Sequence, residues 1–160
     1  MINNDVIIYT DGSSRGNPGP GGYGIVMEDC KTGFTKQYSQ GFRKTTNNRM
    51  ELLAVIEALK KLTKKELKIT VFTDSRYVVD SVEKKWVFKW KKNGFKNKKN
   101  VDLWLEFLKV QELNNISFKW IKGHNNHPQN EICDKLAFKA SENKPLLVDK
   151  GYETNLNKLL

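Results

Sequence analysis

Three short stretches along the first forty residues, rich in β-branched and aromatic side chains and separated by turn residues, Val6 to Thr10, Gly22 to Glu28 and Phe34 to Gln40, each predict a β-strand. The connections between them are short, Asp29-Cys30-Lys31-Thr32-Gly33 being the second, so neighbouring strands run antiparallel. From Asn47 to Leu62 the residues Leu52, Val55, Ile56 and Leu59 recur at helical spacing, and Leu67 to Thr73 predicts a fourth strand. Counting directions through the intervening helix makes that strand parallel to the first. Ser75 to Lys85 reads as a helix, and Val101 to Leu113 as an amphipathic one with Leu105, Leu108 and Leu113 inward. Ile116 to Ile121 predicts a fifth strand, and Pro128 to Ser141 a last helix with proline in its first turn. After Asn143 the pattern fades, and it leaves open whether the tail packs. The expected architecture is α/β: a five-stranded mixed sheet, three antiparallel then two parallel strands, with helices on both faces. One domain spans residues 1–143, followed by a C-terminal tail over 144–160.

Composition narrows this picture. A chain of 160 residues, 38% of them hydrophobic, can bury one core. No run approaches the roughly 18 apolar residues of a membrane span, and the first residues lack the layout of a signal peptide, so a cytoplasmic protein with no membrane partner is expected. Cys30 and Cys133 are isolated, which favours reduced thiols over a disulfide or a zinc site. The net charge of +10 suggests a polyanionic partner. Its distribution says more: between Lys84 and Lys99 stand eight lysines and no acid, interleaved with Trp86, Phe88, Trp90 and Phe95. A lysine run alone reads as a solvated face. Flat rings between the cations instead suit a groove where amines meet phosphates and rings pack on sugars or bases.

The candidate chemistry lies in the acids. Gly19, Gly21 and Gly24 spell a dinucleotide fingerprint, but a strand follows them rather than a helix, so the glycines read as a hairpin connection. Asp11 ends strand one and Asp74 ends strand four, and ligands of open sheets collect outside the carboxyl ends of strands. Either acid alone would also serve as a turn residue. Glu51 fits a capping box opened by Asn48, yet it shares a helix face with Ala54, Val55 and Ala58, where an inward acid needs a partner. Asp134, among Glu131, Lys135 and Lys139, reads by spacing as one more surface charge. Converging carboxylates must protonate or share a cation, and hard oxygen ligands suit magnesium or manganese, which points to phosphoryl chemistry. His124 is either solvated or a proton carrier, and with His127 it makes no credible zinc site.

The blocks YTDGSSRGNPGPGGYG, TTNNRMEL, FTDSRYV, NVDLW and IKGHNNHPQNEICDKLA, in this order and spacing, resemble type 1 ribonuclease H of the bacterial kind. The similarity runs from about Val6 to Ala140, with an echo at Lys150-Gly151-Tyr152. The resemblance implies a ribonuclease H-like fold and a stand-alone, monomeric endoribonuclease. Such an enzyme hydrolyses the RNA strand of RNA/DNA hybrids by a two-metal-ion mechanism and leaves 5′-phosphate and 3′-hydroxyl ends. It further implies that Asp11, Glu51, Asp74 and Asp134 hold two Mg2+ ions, with Mn2+ as a substitute, and that His124 assists proton transfer or product departure. Asn17, Asn47 and Asn48 match residues that read the minor groove, where RNA is recognised through its 2′-hydroxyls. Thr46 and Asn100 match a grip on a DNA phosphate, and Trp86 a ring that packs on a deoxyribose. Arg76 stands where bacterial relatives often have a glutamine that touches a base edge, and Ser14 replaces the family's cysteine. Lys91, Lys92, Lys96 and Lys98 belong to the substrate-binding handle, about residues 84–100. Its short tip is expected to leave most of the contact to Lys91 and Lys92. The alternatives are a DNA-acting member of the same superfamily, integrase- or resolvase-like, and a non-catalytic hybrid-binding protein, which would need the handle but not the acids.

Overall fold

Alternation along β1 (Val6–Ser14) divides the molecule into two faces: Ile8 turns into the main core, and Tyr9 turns the other way to meet Val26 and Cys133. The structure, a computed structural model, describes residues 3–158, without the side chains of 155–158, so the last two residues of the tail lie outside it. β2 (Gly19–Asp29) and β3 (Thr35–Thr45) follow antiparallel, and β4 (Lys68–Thr73) and β5 (Asn115–Trp120) add parallel on the other side, giving the order β3-β2-β1-β4-β5. On the main-core face lie α1 (Asn47–Lys60), α2 (Arg76–Glu83) and α4 (Val101–Gln111); α5 (Pro128–Glu142) covers the opposite face against β1, β2 and β3. The mixed sheet with helices on both faces is therefore as expected. α3 (Trp86–Lys92) forms the first half of the basic segment, and α6 (Lys150–Lys158) lies in the tail.

Four expectations change. β1 continues to Ser14, because a backbone ladder needs only N–H and C=O groups and runs on through Gly12 opposite Tyr23. Asp11 thus sits inside the strand, opposite Gly24, and the glycines after Gly19 are strand residues rather than a hairpin connection. The N-cap of α1 is Thr46, whose hydroxyl accepts from the Arg49 amide at 3.3 Å, so Asn48 does not cap the helix and Glu51 closes no capping box. In α4, Leu105 and Leu113 are exposed, while Leu103, Trp104, Phe107 and Leu108 are buried. The rings set the phase: Trp104 packs edge-on against Tyr77, Trp90 and Phe107, burying more apolar surface than the leucines would. The tail packs. Leu147 exchanges backbone hydrogen bonds with Gly41 and Arg43, and Asp149 is buried. No described helix is long and apolar enough to cross a membrane.

Candidate active site

Two glycines let the elements approach closely enough to bring the acids together. A Cβ on Gly12 would collide with the α1 backbone at Met50 and Glu51, so the chain just after Asp11 lies directly against the residue that carries the second carboxylate. A Cβ on Gly24, opposite Asp11, would collide with the Cys133 carbonyl, so α5 rests on the sheet there and carries Asp134 to the same place. Asp74 follows β4, the parallel neighbour of β1. Ligand oxygens of Asp11, Glu51 and Asp74 all lie within 4.8 Å of one another. Asp134 stands outside that tight set but lines the same pocket, and its charge acts on both Asp11 and Asp74.

Burial and mutual repulsion push these carboxyls upward. The Asp11 carboxyl is raised to about 8, by burial first and then by Asp74. Glu51 is also raised, by burial first and then by the charges of Asp11 and Asp74. Asp74 is raised by burial, with His124 acting in the opposite direction. Their oxygens have few partners: Asp11 Oδ1 accepts from the Gly12 amide at 3.0 Å, and Glu51 Oε2 from Thr73 Oγ1 at 3.5 Å. Hard oxygen donors, crowded and short of hydrogen bonds, fit a divalent cation such as magnesium or manganese, and a cation there reverses the repulsion.

The rim of this pocket includes Ser13, Asn47, Asn48, Arg76, Tyr77 and His124. His124 is exposed, with φ at 54°. His127 has a structural post instead, capping α5 by accepting from the Asn130 amide at 3.3 Å. Asn48 also borders a groove that passes Thr46, Arg49, Lys98, Lys99 and Asn100, and a further one that reaches Trp86 and Trp90. Asn17 lies at the edge of the first of these grooves, its Oδ1 accepting from the Asn47 amide at 2.7 Å and from Ser14 Oγ at 2.9 Å, while its NH2 has no hydrogen-bond partner among the described residues. Asn100 donates to the Tyr77 hydroxyl at 3.0 Å and accepts from Arg49 at 3.4 Å, so its amide orientation is set from both sides. Lys98 lines the groove together with Lys99, whereas Lys91, Lys92 and Lys96 are exposed and line none of it. The reason is backbone geometry: Phe95, with φ at 57°, is buried, and Asn97 and Asn100 are also left-handed, so the tip folds back onto the domain.

Arg49, Tyr77, Lys99, Trp120 and Asp149 escaped the reading of the sequence. Arg49 had a signal, since it stands three residues before Leu52 and seven before Ile56 on the apolar stripe of α1. Asp149 had none, because its partners are about a hundred residues away.

Residues 3–142 match the family model described as RNase H. The ribonuclease H of Desulforamulus reducens is 50% identical over 150 residues, covering 91% of this chain and 92% of that one. Among solved structures, LC9-RNase H1 superposes with a TM-score of 0.77 at 32% identity, over 96% of this chain and 81% of the other. LC11-RNase H1 in complex with an RNA/DNA hybrid gives a TM-score of 0.61 at 30% identity, over 86% of this chain and 96% of that one.

Proposed function

This chain belongs to the ribonuclease H family, and from that premise we propose that it hydrolyses the RNA strand of RNA/DNA hybrids, cutting internally to leave 5′-phosphate and 3′-hydroxyl ends. The observation that carries the reading is the Asp11, Glu51 and Asp74 cluster beside a groove of amides, lysines and indole rings. Asp11, Glu51, Asp74 and Asp134 would hold two Mg2+ ions, with Mn2+ as a substitute. When bound, such ions activate the attacking water and neutralise charge on the leaving oxygen.

The chain's own residues hold the substrate. Asn47 and Asn48 present side-chain amides beside the carboxylates and Asn17 one in the adjoining groove, suited to 2′-hydroxyls and base edges in the minor groove. Thr46 and Asn100, with Lys98 and Lys99 nearby, hold a phosphate of the DNA strand, and Trp86, 40% exposed, packs on a sugar. His124, on the exposed rim, moves a proton or eases product departure. The reading has the chain acting as a monomer in the cytoplasm.

The test offers labelled hybrid, single-stranded RNA, duplex RNA and duplex DNA with magnesium. Only RNA paired with DNA should be cut, and a chelator should stop the reaction. Equal cutting of duplex DNA would make the chain integrase-like, and tight hybrid binding without cutting would make it a binding protein.

A further inference from the structure

Arg76 occupies a position that local physics disfavours. It is the first residue of α2, where a cation opposes the helix dipole, and no acid stands in that first turn to offset it. It lines the pocket of Asp11, Glu51, Asp74 and Asp134, yet among the described residues its guanidinium makes neither an ion pair nor a hydrogen bond. What it has is a platform: its Cζ lies 3.9 Å from the centroid of the Trp120 ring. Trp120 closes β5 and is fixed in turn, its Nε1 donating to the Asp74 carbonyl at 3.0 Å, while 38% of it remains exposed. A planar cation laid on an anchored ring loses rotational freedom and keeps its N–H edge open.

We propose that Arg76, aimed by Trp120, binds a phosphate of the RNA/DNA hybrid beside the carboxylate site, a role that rests on the hybrid-cutting function proposed above. A guanidinium carries N–H donors and no acceptor, so its ligand must be an acceptor. A phosphate offers two oxygens that match the fork, and its charge balances a cation that the neighbouring carboxylates have left unpaired. Trp120 is then a positioning residue. It acts on the substrate through Arg76, and it also ties β5 to the backbone of Asp74.

Equilibrium binding of a fluorescent hybrid in chelator, from low to moderate salt, tests this. Arg76→Gln should weaken binding about fivefold at low salt and make the log-log salt dependence shallower by about 0.9, the loss of one phosphate contact. Arg76→Lys and Trp120→Leu should keep the slope and lose part of the affinity, while Trp120→Phe, which retains a ring, should stay near wild type. Arg76→Gln should unfold at no lower temperature than wild type, because it removes a charge the dipole opposes. Unchanged affinity and slope would return Arg76 to solvent. A fall in affinity with an unchanged slope would make it a reader of a base edge or hydroxyl, and a loss of stability alone would make the stack structural; both outcomes overturn the proposal. Wild-type cleavage with magnesium is the separate control: if the hybrid is not cut, the parent reading fails, whatever the binding of the variants.

Discussion

Asp11 carries its carboxylate where an uncompensated charge is least tolerated, inside a strand, buried and beside two other acids. Its ordinary value is 3.8 and burial with Asp74 raises it to about 8, so between those values the folded metal-free protein holds a proton that the unfolded chain has released. Stability in chelator should therefore fall as pH rises from about 4 to about 8. Asp11→Asn should remove turnover and reduce this pH dependence, to which Glu51 and Asp74 also contribute. It should exceed wild type by on the order of 2 kcal/mol at the upper end of the window and match it at the lower end. Urea unfolding at several pH values and a hybrid-cutting assay check both; a variant that is less stable at high pH, or that still cuts, would remove Asp11 from the site. The identity of this acid was legible from its place after an apolar run. Its depth in the strand was not, because the pairing of Gly12 to Ser14 with β2 depends on backbone groups that carry no apolar signal.

At the scale of elements, one side chain ties three segments together. Arg49 of α1 is buried and donates to both oxygens of Asp102 at 2.8 and 2.7 Å, and to both oxygens of Asp149 at 2.8 and 2.9 Å. Burial works against its charge, but these hydrogen bonds and the two carboxylates outweigh that and raise its pKa. Asp149 also accepts from Thr45 Oγ1 at 2.7 Å and from the Tyr152 amide at 3.2 Å, so it joins β3, α1 and the first turn of α6. Losing Asp149 leaves Arg49 paired with Asp102 but strands the Arg49 N–H groups and the Thr45 hydroxyl that Asp149 satisfied, which costs about 1 to 3 kcal/mol. Asp149→Ala should lose stability on that scale and speed amide exchange over residues 144–154, with exchange in β4 changing only through global stability. Protection of the tail equal to wild type would show that the backbone bonds of Leu147 suffice to dock it.

At the scale of the molecule, charge is sorted. Eight lysines and no acid lie between Lys84 and Lys99, while carboxylates crowd the pocket beside Asp11 within β1 and Asp74 after β4. Lys98 and Lys99 line the groove leading from that pocket, so Lys98→Ala with Lys99→Ala should raise KM and flatten its salt dependence by about two contacts' worth, with kcat at saturating hybrid nearly unchanged. Lys91→Ala with Lys92→Ala should change both less; if that pair does as much, the handle binds through its outer surface. The sequence alone determined the order and type of most elements, the sheet's directions and the basic cluster, because periodicity, short connections and composition are local properties, and it singled out Asp11, Glu51 and Asp74, with Asp134 added by the ordered family motifs. Only the tertiary structure decided that Gly12 and Gly24 let α1 and α5 close on the acids, that Arg49 and Asp149 meet across about a hundred residues, that the lysine tip folds inward, and that Arg76 lies on Trp120. Each of these is a contact between distant segments, set by how packed surfaces fit, and no local period carries that information.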